Sequence, residues 1–291
     1  MANKPITLAP LTGVLDVRST PDLIPRDGVR FRQNLQTVAD GKLRRGAGWA
    51  KLLSQAAYNN ADFHDQLLVF DGIVVPVTEP FAYYKLDTAT SLIVPDSIGS
   101  RDMTLDLAPP IIVGKLGNAY QGIGGGSSWQ ATRANADVDV GGVDFTVRMW
   151  FKMFANNGFM FEIFSSGTVL FEMQYNNVSS NMKIDVNISN GPGLGDFATA
   201  STSPLIPIET TTWHHIIAWH RTGVEIGVRL DNGAPVTTPF TLGLGAVDEM
   251  AIWSDGSADE LAIWRGTVLT EAEQDADWNE GSGRTWPWET E

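Results

Sequence analysis

Alternating apolar and polar residues mark the middle of the chain. From Met182 to Ile188, every second residue is Met, Ile or Val, and the residues between them are Lys, Asp and Asn. From Phe145 to Phe151, every second residue is again large and apolar, while Trp150 falls on the other side of the alternation. Successive side chains of a strand point to opposite faces, so this pattern predicts antiparallel strands that are buried on one face.

Turn residues between such runs predict how the strands connect. The runs 213–220 and 224–230 flank a short turn that contains Gly223, which is typical of a hairpin. The runs 247–253 and 258–264 are nearly identical in sequence, and an Asp-Gly turn lies between them. This second pair of runs also predicts a hairpin.

The end of the chain has a helix signal. Thr270 and Glu273 have the spacing of a capping box, which predicts a short helix that ends before Gly281. Strands that recur every ~8–12 residues favour an all-β, two-sheet antiparallel sandwich. The predicted layout is an extended arm over 1–60, a connector over 61–81, the sandwich over 82–286 and a tail over 287–291.

Charge divides the chain into two parts. Residues 1–60 hold nine Lys/Arg and four Asp, a net charge of +5, whereas the other residues hold 11 Lys/Arg and 30 Asp/Glu, a net charge of −19. The first part has little periodicity but contains apolar anchors such as Trp49, so we expect it to lie along another surface. A basic arm on an acidic body indicates two separate tasks.

Composition excludes several classes of protein. The chain of 291 residues has no cysteine, so it has neither disulfides nor thiolate sites. No run reaches the ~18 apolar residues of a membrane span. The first residues lack the apolar segment of a signal peptide, so we expect no secretion signal.

Five motifs, in order along residues 82–286, resemble those of laminin-G-like and concanavalin-A-like jelly rolls. They are Tyr83-Tyr84-Lys85-Leu86-Asp87, Gly114–Tyr120, Asp144–Lys152, the hairpin that begins at Trp213, and Asp259–Trp264 with the helix after it. The resemblance implies a two-sheet jelly-roll sandwich. It also implies a candidate calcium site at Asp87, Asp96 and Asp259, whose alternative role is to cap turns.

The first fifty residues resemble the N-terminal segment of tailed-bacteriophage virion proteins. The motifs are Pro10–Gly13, Ser19–Pro25, Arg32-Gln33-Asn34 and Asp40–Trp49. In those proteins the segment is often part of tail-associated chains. The resemblance implies that the arm docks onto a virion. The residues expected to dock are Arg18, Arg30, Arg32, Arg44, Arg45 and Trp49.

Candidate catalytic residues are few. His214 and His220 share one face of a predicted strand and lie ~20 Å apart, too far to share one metal ion. Glu162 and Glu172 lie on separate predicted strands, each between apolar residues, without the spacing of a glycosidase motif on one strand. Trp129, on a predicted loop, is a candidate for stacking on a sugar, although most tryptophans of such a fold belong to the core. No catalytic residue is predicted, and the glycan-binding residues are not identified.

The sequence thus predicts a non-enzymatic bacteriophage structural protein, located in the virion and associated with the tail or neck. Its expected partners are other virion proteins, further copies of itself and a host-surface glycan. The acidic body disfavours nucleic acid. The alternatives are a capsid decoration or cement protein and a carbohydrate-active enzyme of the same fold.

Overall fold

The computed structural model describes residues 78–285 apart from 89–90, 123–128, 154–156, 192–196, 208–209 and 254. The predicted arm, with Arg18, Arg30, Arg32, Arg44, Arg45 and Trp49, lies outside the described residues. The described part belongs to one compact unit, Val75–Thr290.

Short strands make up most of the described chain. In chain order they are β1 Ala82–Tyr84, β2 Ile93–Val94, β3 Met103–Leu105, β4 Ile111–Val113, β5 Asn118–Tyr120, β6 Gln130–Ala134, β7 Phe145–Met153, β8 Gly158–Ser165, β9 Thr168–Val178, β10 Asn181–Ser189, β11 Phe197–Ser201, β12 Ile206–Pro207, β13 His214–Arg221, β14 Glu225–Leu230, β15 Val236–Pro239, β16 Glu249–Trp253 and β17 Gly256–Arg265. Within the described residues, one α-helix, α1, spans Glu271–Trp278, and single 3-10 turns span Ala136–Val138 and Asn279–Gly281.

The strands form two antiparallel sheets, as predicted. Within the described residues, the eight-stranded sheet has the order β15-β14-β13-β7-β17-β5-β4, with β1 paired to β17. The nine-stranded sheet has the order β11-β10-β9-β8-β16-β6-β3-β2, with β12 paired to β10. The hairpin of β13 and β14 is confirmed, with Ile216 opposite Leu230. No helix of the described part is both long and apolar enough to span a bilayer.

The second predicted hairpin is wrong. The strands β16 and β17 carry the nearly identical runs, yet β16 pairs with β6 and β8 whereas β17 pairs with β5, β7 and β1. The chain therefore crosses from one sheet to the other at this turn. Both runs are apolar enough to lie in the interior of a sheet, and two interior strands of different sheets need not pair with each other.

The core lies between the two sheets. Phe145 of β7 meets Phe171 of β9 edge to face, with ring centroids 5.0 Å apart, and Phe151 stacks on Tyr175 of β9 at 6.4 Å. These residues are among the alternating apolar positions of their strands. The intervening residues of the nine-stranded sheet lie on its other side, which we call the outer face.

The helix α1 covers the opposite side of the molecule. Its capping box is present, as predicted: Thr270 accepts a hydrogen bond from the Glu273 N–H, and Glu273 accepts one from the Thr270 N–H. Trp150 points away from the core and stacks on Trp278 of α1, with ring centroids 5.3 Å apart. The helix therefore packs on the outside of the eight-stranded sheet.

The predicted connector contributes to this packing. The indole N–H of Trp264 donates to the Thr78 carbonyl at 2.6 Å, and the Phe81 N–H donates to the Ile263 carbonyl at 2.6 Å. Residues 78–81 are thus bound to β17 before β1 begins.

Candidate functional site

A row of polar residues crosses four strands on the outer face of the nine-stranded sheet. Glu162 of β8 is directly opposite Glu172 of β9, Glu172 is opposite Asn187 of β10, and Asn187 is opposite Thr199 of β11. Directly opposite residues point to the same face of a sheet. Their strand neighbours, such as Phe161, belong to the core, so these four side chains point outward. We call the four residues the polar row and the two glutamates the carboxylate pair.

Hydrogen bonds align three of the four residues of the polar row. The Thr199 hydroxyl donates to Asn187 Oδ1 at 2.6 Å, and Asn187 Nδ2 donates to Glu172 Oε1 at 2.6 Å. These bonds fix the amide orientation of Asn187 and hold the Glu172 carboxylate. The row therefore presents amide and carboxylate groups whose directions are set by the sheet.

Glu162 has a different environment. The residue is only 5% exposed. The pKa of its carboxyl is raised to about 7, mainly by burial and further by the charges of Glu172 and Asp255. The indole of Trp253 acts in the opposite direction and lowers this pKa. Within the described residues, Trp253 Nε1 makes no hydrogen bond of regular geometry, although the indole lies close to Glu162. Among the described residues, the Trp253 indole is thus the one donor near the Glu162 carboxyl, which is nearly buried.

Two aromatic rings lie at one end of the row. Trp253 of β16 and Phe159 of β8 have ring centroids 6.3 Å apart at an interplanar angle of 52°. Phe159 is 40% exposed. The Asp255 carboxylate accepts the Phe159 N–H at 2.9 Å, so it holds this end of β8. Polar groups beside an exposed aromatic ring are the usual elements of a sugar-binding surface.

Asp185, on the same face, differs from Glu162 because its carboxylate has several hydrogen-bond donors. Asn176 Nδ2 donates to it at 2.7 Å, Lys183 Nζ is 2.9 Å away, and the Ser201 hydroxyl also donates to it. Each carboxylate oxygen of Asp185 therefore has a donor. The contrast with Glu162 makes the carboxylate pair the candidate functional site.

Asp96 serves as a backbone acceptor. Its carboxylate accepts the N–H groups of Tyr83 and Ile98, both at 3.1 Å, and that of Arg101 at 3.3 Å. The Arg101 guanidinium is 3.6 Å away. This carboxylate joins the segment after β2 to β1.

Asp87 and Asp259 meet at the turn between β4 and β5. Asp259 Oδ2 accepts the N–H groups of Lys115 and Leu116 at 2.7 and 2.9 Å, and Asp87 Oδ1 accepts that of Asn118 at 2.9 Å. Burial raises the pKa of Asp259 to about 7. No group of three or more His, Cys, Asp or Glu in the described part is placed to hold a metal ion. Calcium binding by Asp87, Asp96 and Asp259 stays a prediction.

The structure removes Trp129 from the candidate sugar-stacking residues. Trp129 is fully buried, and its indole N–H donates to the Gln121 carbonyl at 2.7 Å. Its ring packs edge to face on Tyr120 with centroids 5.4 Å apart. Trp129 therefore belongs to the core, as expected for most tryptophans of such a fold, because the residue just before a strand can be drawn inward.

The histidines lie on β13, as predicted, and have structural partners. His214 Nδ1 lies 2.6 Å from Asp231 Oδ2, and His220 Nε2 lies 3.3 Å from the Leu242 carbonyl. His215 faces the other way, and its Nε2 lies 3.0 Å from Asp277 Oδ2 beneath α1. The prediction that His214 and His220 share one face of the strand is confirmed, since their rings lie against Phe151 and Phe145 of the core.

A second polar cluster lies between the eight-stranded sheet and α1. The buried Arg148 binds both carboxylate oxygens of Asp277 at 2.8 Å, and His215 shares that carboxylate. Although burial opposes it, the charge of Arg148 and the His215 hydrogen bond hold the pKa of Asp277 below its usual value. Burial lowers the pKa of His215. This cluster joins the helix to the sheet.

Glu260 lies at the edge of this cluster. It is fully buried, has φ of 57° and occupies a bulge of β17 between Asp259 and Ala262. Neither oxygen of its carboxyl has a hydrogen-bond partner among the described residues. Burial, with the nearby charge of Asp277, raises the pKa of Glu260 to about 9.

Comparison with known proteins identifies a fold class. No family model matches the chain, and no curated protein matches it. Among solved structures, the botulinum neurotoxin serotype C1 binding domain aligns with a TM-score of 0.52 and 7% identity over 71% of this chain and 52% of that chain. The serotype D binding domain aligns with a TM-score of 0.51 and 9% identity over 69% and 51%. The serotype D ligand binding domain in complex with N-acetylneuraminic acid aligns with a TM-score of 0.50 and 7% identity over 69% and 50%.

These likenesses define a jelly-roll-like β-sandwich. The chain spans about half the length of the neurotoxin binding domains that it matches. At 7–9% identity the similarity shows the fold alone. The predicted all-β sandwich is therefore confirmed.

Proposed function

We propose that the sandwich is a glycan-binding adhesion module and that residues 1–60 anchor it to a bacteriophage virion. The observation that carries the first part is the polar row beside Trp253 and Phe159. Carboxylates and amides can accept and donate hydrogen bonds to sugar hydroxyls, and an aromatic ring can stack on the apolar face of a sugar. A solved structure of the same fold class, the neurotoxin serotype D domain, is in complex with N-acetylneuraminic acid.

Binding of the full chain to a panel of oligosaccharides tests this part. Glu172→Gln keeps the shape of the side chain but removes the charge that Asn187 binds, so it should weaken binding at least tenfold. Glu249→Gln is the matched control, since Glu249 is a half-buried glutamate on β16 of the same sheet. Equal affinity of the two variants, or no binding of any glycan, would contradict the proposal.

The arm supports the second part through its motifs and its charge. Its net charge of +5 suits an acidic virion surface, and Arg binds carboxylates in a bidentate manner. Exposed ion pairs contribute only about 0–1 kcal/mol each, so Trp49 and the leucines should supply most of the affinity. Deletion of residues 1–60 should leave a folded sandwich that no longer enters particles. Incorporation at normal copy number would refute this docking role.

Glycoside hydrolysis is the second candidate function, and the carboxylate pair favours it. Directly opposite residues have Cβ atoms about 4.5–5.5 Å apart, which is compatible with the ~5–5.5 Å between the carboxyls of retaining glycosidases. Glu162, with its raised pKa, would be the acid and Glu172 the nucleophile. Incubation with aryl glycosides tests this: release of the aryl alcohol that Glu172→Gln abolishes would support hydrolysis, and intact substrates would exclude it.

A further inference from the structure

The outer face around the carboxylate pair has an excess of negative charge. Glu172 faces Glu162 from β9, and Asp255 lies close enough to Glu162 to affect it electrostatically. Lys183 is a basic group on the same face, but Asp185 already binds it at 2.9 Å. Two acidic side chains directly opposite each other destabilise a sheet when both are ionised. Among the described residues, no Lys or Arg forms an ion pair with Glu162 or Glu172, whereas Lys183 is paired with Asp185.

Among the described residues, the Trp253 indole is the one donor near the Glu162 carboxyl. Glu162 is 5% exposed, and the neighbouring Trp253 indole does not reach a regular hydrogen bond. A nearly buried carboxylate with one poorly aligned donor has a free-energy cost, which a ligand could lower. A ligand that brings a cationic donor would offset both this cost and the repulsion from Glu172.

Two aromatic rings beside the carboxylate pair also favour a cationic ligand. Trp253 lies beside Glu162, and Phe159, which is 40% exposed, lies next to Trp253. The face of an indole ring attracts an ammonium group, most strongly when the group is desolvated. The rings also provide a surface for the apolar side of a sugar.

Given the proposed glycan-binding function, on which this step rests, we infer that the ligand is an amine-bearing saccharide whose ammonium group lies between Glu162 and Glu172. An ammonium group has three donors, which can serve both carboxylates at once. An N-acetylated sugar would offer one neutral N–H in the same place. A sialic acid would bring a carboxylate into an acidic surface and be repelled.

Two matched oligosaccharides separate these ligands. The glucosamine tetramer and the N-acetylglucosamine tetramer share one backbone and differ only in acetylation. Isothermal titration of the full chain at pH 7, in buffer with EDTA to exclude metal bridging, should give at least tenfold tighter binding of the glucosamine tetramer. Sialyllactose should bind more weakly than either tetramer.

Two matched glutamine variants test for nonspecific attraction to this acidic chain, whose net charge is −14. Glu162→Gln and Glu249→Gln each replace one carboxyl of the same sheet with an amide. Glu162→Gln should remove the preference for the glucosamine tetramer, whereas Glu249→Gln should retain it. Thermal melting of each variant checks that the sandwich remains folded.

The outcomes distinguish this inference from the proposed function. Equal affinity for both tetramers, preference for sialyllactose, or equal effects of the two substitutions would overturn the amine-bearing ligand and leave glycan binding intact. Equally tight binding of tetralysine would also overturn it, because the site would then recognise any cation. A chain that binds none of the sugars would refute both.

Discussion

Replacement of Glu260 by glutamine should stabilise the sandwich at neutral pH. The carboxyl has a pKa of about 9 in the folded protein against 4.5 ordinarily. Between these values the folded chain retains a proton that the unfolded chain releases. The contribution of this carboxyl to stability is therefore highest below pH 4.5 and falls as the pH rises toward 9. Glutamine has a similar shape and does not titrate, so this loss disappears in the variant.

The size of the gain follows from the pH. At pH 7.5 the medium lies about three units above the ordinary pKa, and each unit corresponds to about 1.4 kcal/mol. The largest expected gain in the free energy of unfolding is therefore about 4 kcal/mol. Local rearrangement around the charge in the wild-type protein would reduce this gain to about 2–4 kcal/mol. At pH 4 both states of the wild-type protein hold the proton, so the gain should nearly vanish.

Urea unfolding at pH 4 and pH 7.5 measures the effect. The same experiment on Glu249→Gln, a half-buried glutamate on the other sheet, provides the control and should give little change at either pH. The comparison between the two pH values removes any constant cost of burying an amide. A Glu260→Gln gain that is equal at both pH values, or a loss of stability at pH 7.5, would refute the reasoning.

Three further substitutions test other parts of the molecule. Asp277→Ala should cost about 3–5 kcal/mol in urea unfolding, since it leaves the Arg148 charge buried without its carboxylate; a cost below 1 kcal/mol would contradict the burial of this pair. Trp129→Ala should cost about 3–5 kcal/mol but leave glycan affinity per folded molecule unchanged; lost affinity would restore it as a binding residue. Trp49→Ala should reduce virion incorporation more than Arg44→Ala, as quantified by particle mass spectrometry; the reverse order would indicate charge-driven docking.

Much of the fold could be predicted from local sequence patterns. The alternation over Met182–Ile188 reports which face of a strand is buried, and the capping box at Thr270 reports a helix start. Both signals arise from residues that are close in sequence. Strand pairing does not, and the nearly identical runs of β16 and β17 were predicted to pair although they belong to different sheets. Local similarity cannot identify which partner a strand meets.

The carboxylate pair depends on the register between β8 and β9, and the turn between these strands does not by itself set that register. At the β8–β9 hairpin Ser165 is opposite Thr168, and an unbroken ladder from there would set Glu162 opposite Phe171, a core residue. Opposite residues share a face, so that ladder would bury Glu162 in the core. A bulge between Ile163 and Phe164 shifts the pairing by one residue and brings Glu172 opposite Glu162.

The signal for this bulge is present in the sequence, in the adjacent apolar residues Leu170 and Phe171, which break the alternation of β9. Both are buried in the core. One extra inward residue on one strand requires a bulge, because two residues must then oppose one on the partner strand. Strands of a half-buried sheet tolerate such a defect only where the apolar residues still reach the core. The same packing that buries Leu170 and Phe171 therefore forces the two glutamates to face each other, and the acidic site follows from the core.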